Sequence, residues 1–128
     1  MPKILVAGIT GKHVSAIPDV LRMAGYDVLE SADSKTAFQF VLEEAPALIV
    51  AKSNLPQLDG LGFLHIIRKH PQFALTPLIF LVETEGWDEV RRMMTAGADD
   101  FLFSTCTDAE LLYVVESRLK RAALVRDF

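Results

Sequence analysis

Four short stretches of this 128-residue chain carry residue types that could do chemistry. Gly8-Ile9-Thr10-Gly11-Lys12 sets glycines, a hydroxyl and an ammonium close together, just ahead of a helix-period segment. That is the composition of an anion cradle, because a helix N-terminus offers unpaired N–H groups and partial positive charge. Lys52 closes the apolar run Leu48-Ile49-Val50-Ala51 and is followed by Ser53-Asn54. A lysine at such a strand end can extend its stem outward and pair with a neighbouring acid, for which Glu83 is the candidate. It can equally grip a ligand or act as a base. Val82-Glu83-Thr84 and Ser104-Thr105-Cys106 complete the set.

The glycine loop matches no established phosphate motif in full. It is too short for P-loop spacing, and the third glycine of a dinucleotide fingerprint is replaced by Val14. Pro18 fits only the first turn of a helix, which puts the helix start near Ser15 and lengthens the loop before it. His13, His65 and His70 fall on separate segments without metal-ligand spacing, so no metal or cofactor is expected. Cys106 has no partner base and reads as a loop thiol. No nucleophile–base or carboxylate pair assembles from these stretches, which argues against an enzyme.

Five strand-length runs alternate with helix-period segments and bring these stretches together. The strands are Ile4–Ala7, Asp27–Ser31, Leu48–Ala51, Pro77–Val82 and Phe101–Phe103. The helices carry inward stripes: Ile17, Val20, Leu21 and Ala24; then Ala37, Phe38, Phe40 and Val41; then Leu61, Leu64 and Ile67. The fourth spans Asp88 to Thr95 and stops at Gly97, and Thr107-Asp108-Ala109-Glu110 is a capping box for the fifth. Five consecutive βα units imply one α/β domain over residues 1–128, a parallel sheet with helices on both faces. Its functional site belongs at the C-terminal ends of the strands, where all four stretches fall.

Bulk composition narrows the function. Apolar residues at 51% can fill a core, and 23% charged residues with net charge −4 favour neither nucleic acid nor an anionic membrane. A single cysteine suits a reducing, cytoplasmic setting. No apolar run reaches the roughly 18 residues of a spanning helix.

Four motifs in order resemble the response-regulator receiver domain, the CheY-like module of two-component signalling: Met1–Val6, Ala24-Gly25-Tyr26-Asp27-Val28, Leu55-Pro56-Gln57-Leu58-Asp59-Gly60, and Thr95-Ala96-Gly97-Ala98-Asp99-Asp100-Phe101-Leu102. The resemblance covers nearly the whole chain. It implies a flavodoxin-like (βα)5 doubly wound sandwich with strand order 2-1-3-4-5. It also implies a phosphorylation site, and there the residues depart from the family. The metal-binding acids correspond to Gly8 and Ile9, the phosphoacceptor Asp to Lys52, the hydroxyl of the fourth strand to Val82, the Lys after the fifth to Ser104 and the following Pro to Thr105. Mg²⁺ needs oxygen donors, and an ammonium cannot form an acyl phosphate. Asp59 then reads as a cap of the third helix rather than an acceptor.

The resemblance therefore implies a pseudo-receiver, a degenerate receiver that signals without phosphorylation. Its partner would be a protein or a covalently attached output domain. The family's usual partner surface, fourth helix, fifth strand and fifth helix, corresponds to Arg91, Met94, Phe101, Phe103, Tyr113 and Val114, and could support a homodimer. Trp87 beside it would suit a contact site if exposed. The alternative is a small-ligand sensor, with Gly8, Thr10, Gly11 and Lys12 holding an anion or nucleotide near Lys52.

Overall fold

The computed structural model describes residues 1–8, 16–55, 58–82 and 86–126. The strands are β1 (Lys3–Ala7), β2 (Asp27–Ser31), β3 (Leu48–Lys52), β4 (Leu78–Val82) and β5 (Asp100–Phe103). All pair in parallel, in the order β2-β1-β3-β4-β5. The helices are α1 (Ala16–Met23), α2 (Ser34–Glu44), α3 (Gly60–Lys69), α4 (Trp87–Ala96) and α5 (Asp108–Arg126). The alternation of periods predicts this parallel sheet with helices on both faces, and the resemblance to receiver domains its doubly wound strand order.

β1, β3 and β4 are nearly wholly apolar because helices cover both of their faces. Ile4, Val6, Leu48, Val50, Ile79 and Leu81 pack with Ile17 and Leu21 of α1 and Leu111 and Val115 of α5. The alternate residues Leu5, Ala7, Ile49, Ala51, Phe80 and Val82 pack with α2, α3 and α4. The strand order reverses between β1 and β3, so the crevice at their C-terminal ends is the switch point of the sheet.

Local chemistry sets the ends of these elements. Asp33 caps α2 by accepting from the Thr36 N–H, and Asp59 caps α3 by accepting from the Gly62 N–H, each through its side chain. Thr107 Oγ1 accepts from the Glu110 N–H while Glu110 accepts from the Thr107 N–H, a reciprocal box at the start of α5. Gly97 closes α4 in the left-handed region at φ 115°, where glycine avoids a Cβ penalty.

Several positions differ from the sequence expectation. α3 begins at Gly60, and Phe63 rather than Leu61 joins Leu64 and Ile67 in its buried stripe. In α2 only Ala37 and Val41 of the expected stripe are buried; Phe38 and Phe40 flank it half-buried. Ala24 lies beyond the end of α1 and is exposed. β4 starts one residue after Pro77, which lacks the N–H a ladder requires.

Candidate functional site

The strand ends bring Lys52, Ser53, Asn54 and Ser104 around a cleft of about 280 Å³, joined by Asp59 and Glu89. Lys52 is the last residue of β3, and Ser104 follows β5, its N–H donating to the Val82 carbonyl at 2.8 Å. Lys52 and Ser104 are thus neighbours on one cleft, as their strand-end placement predicts. Among the described residues Lys52 forms no ion pair. Glu83, its expected partner, lies outside them.

The other predicted site residues divide. Val82 does not reach the cleft; it is 1% exposed and packs in the core beneath. Ile9, Thr10, Gly11 and Lys12 lie outside the described residues. Gly8 sits at the end of β1 with φ +84°, and its N–H donates to the Ser31 carbonyl at 2.8 Å. A side chain at Gly8 would have no room. Its Cβ would stand 2.6 Å from Leu55 Cδ2 and 3.0 Å from Lys52 Cβ. The buried Leu55 side chain and the Lys52 stem therefore fill the space over β1.

This arrangement does not suit a divalent cation. The position beside Lys52 offers a glycine and a leucine, neither with a side-chain oxygen, and an ammonium repels a cation. Among the described residues no group of three histidine, cysteine or acidic side chains could hold a metal ion. Asp59, half of the cleft's acidity, already spends Oδ1 on its cap, 2.8 Å from the Gly62 nitrogen.

Glu89 and Leu55 were not singled out in the sequence. Glu89 shows only as an acid in the first turn of α4, where the helix dipole favours it. Leu55 opens the motif that identified the turn, but its contact with Gly8 spans two strands and no spacing announces it.

A second surface lies along α4, β5 and α5. Trp87, the first residue of α4, is 63% exposed and meets Phe101 and Phe103 edge-on, with ring centroids 6.0 and 5.3 Å away. Phe101 and Phe103 are themselves edge to face at 5.5 Å. Arg91 and Met94 of α4 and Tyr113 of α5 are exposed, while Val114 is half-buried against the core. Arg118 of α5 holds Asp100 of β5 at 3.0 Å, a pairing the sequence reading missed. Cys106 is half-buried; burial first, then Glu110 and Asp108, push its thiol pKa up, which disfavours the thiolate.

Comparison with known proteins places these features in context. The profile of the response regulator receiver domain matches residues 10–116. The transcriptional regulatory protein PrrA of Mycobacterium tuberculosis is 28% identical over 120 residues, 94% of this chain and 51% of that protein. The transcriptional regulatory protein GltR of Pseudomonas aeruginosa is 33% identical over 104 residues, 80% of this chain and 42% of that protein. The chain thus spans about half the length of these curated relatives. Among solved structures, the receiver domain of a Francisella response regulator aligns at a TM-score of 0.84 with 30% identity, covering 94% of this chain and 98% of that one. A putative response regulator from Chloroflexus aurantiacus aligns at 0.89 with 26% identity, over 93% and 98%. No helix among the described residues is long and apolar enough to cross a membrane.

Proposed function

Since this chain belongs to the response-regulator receiver domain family, we propose that it works as a pseudo-receiver, a regulatory module that signals through protein contacts without being phosphorylated. One observation carries the reading. Leu55 and the Lys52 stem occupy the space over Gly8, where the family's chemistry would need acidic ligands. No side chain fits at Gly8 beside them, so this position supplies no carboxylate for the cation that Asp phosphorylation depends on. The cation at Lys52 gives a constant local charge in place of a switchable one.

The contact surface is α4–β5–α5. It carries exposed Trp87, Tyr113 and Met94, the kind of aromatic and methionine surface that anchors interfaces. α4 presents Arg91 and Arg92, and the start of α5 presents Asp108 and Glu110, all exposed. A two-fold pairing of copies would set the Arg91–Arg92 turn of α4 in one against the acidic start of α5 in the other. The same face would serve an attached output domain in a longer protein, since the matched relatives are transcriptional regulators about twice this length.

Anion or nucleotide sensing at Gly8–Lys12 has less behind it. The Gly8 N–H, which would have to meet the anion, already donates to Ser31. Incubation with acetyl phosphate and Mg²⁺ tests the main reading. Intact mass should stay unchanged; a phosphoryl adduct on Asp59 or any other residue refutes it. Calorimetry with nucleotides should show no heat that depends on Lys52, and micromolar binding lost in Lys52→Ala would favour the sensor.

A further inference from the structure

A groove of about 520 Å³ lies at the opposite pole, where β3, β4 and β5 begin, and the reading above makes no use of it. One wall is the C-terminal half of α5, which turns Arg118, Arg121 and Val125 to the groove at i, i+3 and i+7. The other walls are the loop before β3 and the 3-10 turn Pro71–Phe73 with the segment that follows it to Pro77. Pro46, Phe73 and Pro77 give a buried apolar floor. Leu75 is 72% and Val125 48% exposed at the rim, far above what a core would leave uncovered.

The groove's charge is one-sided. Its ionisable lining is Arg68, Arg118, Arg121 and Asp99, in a chain whose net charge is −4. Arg68 is fully engaged, by Asp99 and by the carbonyls of Thr76 and Gly97. Arg118 uses Nε and Nη2 on Asp100 and leaves Nη1 without a partner among the described residues. Arg121 makes no ion pair among the described residues. A trough with an apolar floor therefore ends at a guanidinium without an ion-pair partner among the described residues, with a second guanidinium one turn away.

We propose that this groove binds a small amphiphile carrying a single carboxylate. The apolar body lies between Leu75 and Val125, over the Phe73 and Pro77 floor, and the carboxylate takes the Arg121 fork, with Arg118 Nη1 as the second donor. The volume falls within the roughly 300–1,000 Å³ of small-molecule sites. A nucleic acid is a poorer occupant, because phosphate backbones call for a row of unpaired cations and here the floor is apolar.

The full chain is titrated with 1-anilinonaphthalene-8-sulfonate, and octanoate is used to displace the dye. Octanoate should displace it, while octanol and octylamine should not. Arg121→Glu should weaken octanoate by at least roughly tenfold, about what a charge-assisted contact and its reversal carry. Arg121→Lys should recover part of it. In amide NMR spectra of the labelled chain, octanoate should shift Leu75, Gly97 and Val125. Displacement by octanol or octylamine equal to that by octanoate overturns the proposal, as does an unchanged affinity in Arg121→Glu. A second groove between α2 and α3 is lined by Lys35, Phe38 and Ile66; loss in Lys35→Glu instead would put the probe there and overturn the proposal too. A leucine-rich acidic peptide that displaces the dye more tightly than octanoate, with the same Arg121 dependence, would make the occupant a protein segment and refute the small-molecule assignment.

Discussion

Gly8 is the residue on which the reading of the cleft can be tested most directly. Alanine there meets two penalties at once. Its Cβ would fall 2.6 Å from Leu55 Cδ2, and its backbone would have to hold φ +84°. Left-handed backbone costs a non-glycine residue roughly 1–2 kcal/mol, and overpacking a filled site about 1–3 kcal/mol. Gly8→Ala should thus lose about 2–5 kcal/mol, read as a lower urea midpoint at constant slope. Leu55→Ala in the same chain removes the steric part, so the two substitutions should be less than additive. Strict additivity would mean that Leu55 does not press on Gly8. The residue types here were legible in the sequence: Lys52 and Ser104 meet on one cleft, and Asp59 caps α3 as its place before Gly60 predicts. The packing was not. Leu55 lies 47 positions from Gly8, by their numbering, and contact between them depends on how β1 and β3 pair.

The elements are held at their ends by polar groups, and these give the next two expectations. Arg68, on α3, donates to the carbonyls of Thr76 and Gly97 and pairs with Asp99 at 2.7 Å. Asp99 also accepts from the Leu78 N–H, so this one cluster joins α3, the start of β4 and the start of β5. Arg68→Ala would leave carbonyls and a carboxylate unpaired in a partly buried place. A loss of about 1–3 kcal/mol follows, seen as a lower melting temperature with the far-UV spectrum retained. A surface-like loss of a few tenths would show that water replaces the guanidinium freely. The caps act through pH. The Thr36 N–H and hydroxyl hold Asp33 below the usual carboxylate range, and those of Thr107 do the same for Glu110. A carboxylate with a lower pKa folded than unfolded adds stability above its unfolded value, and that stability is lost as pH falls through the folded one. The chain should therefore weaken on acidification from about pH 4 downward. Asp33→Asn and Glu110→Gln should each flatten that acid slope in denaturation measured against pH, and an unchanged slope would remove the caps from the account. The Glu110 box was visible as Thr107-Asp108-Ala109-Glu110, because capping is a local pattern. The Arg68 and Asp99 pairing was not, because it links residues 31 apart. For the same reason the helix stripes were right at Ala37, Val41, Leu64 and Ile67, and erred at Phe38, Phe40 and Leu61, which flank the buried line, and at Ala24, which lies beyond the end of α1.

At the scale of the whole molecule the parallel sheet with helices on both faces followed from five alternating βα units, and the strand order from the resemblance to receiver domains. What alternation cannot convey is which outer surfaces stay uncovered, and the α4–β5–α5 face is where the proposed function stands or falls. Trp87 is the chain's only tryptophan and stands on that face, so its emission reports contact there without a label. If a second copy is the partner, raising the concentration should shift Trp87 emission to the blue as sedimentation velocity shows a dimer. Both changes should share one midpoint. Added salt should move that midpoint to higher concentration, since Arg91 and Arg92 facing Asp108 and Glu110 are rim charges that a Debye length of about 8 Å at physiological ionic strength already screens in part. Tyr113→Glu should abolish both changes by placing a carboxylate amid exposed aromatic surface, without touching the core, since Tyr113 is 74% exposed. A monomer at every concentration, with constant emission, would exclude the second copy and leave the face to a different protein. A dimer with unchanged emission would place the contact elsewhere and remove the support that exposed Trp87 lends to this surface.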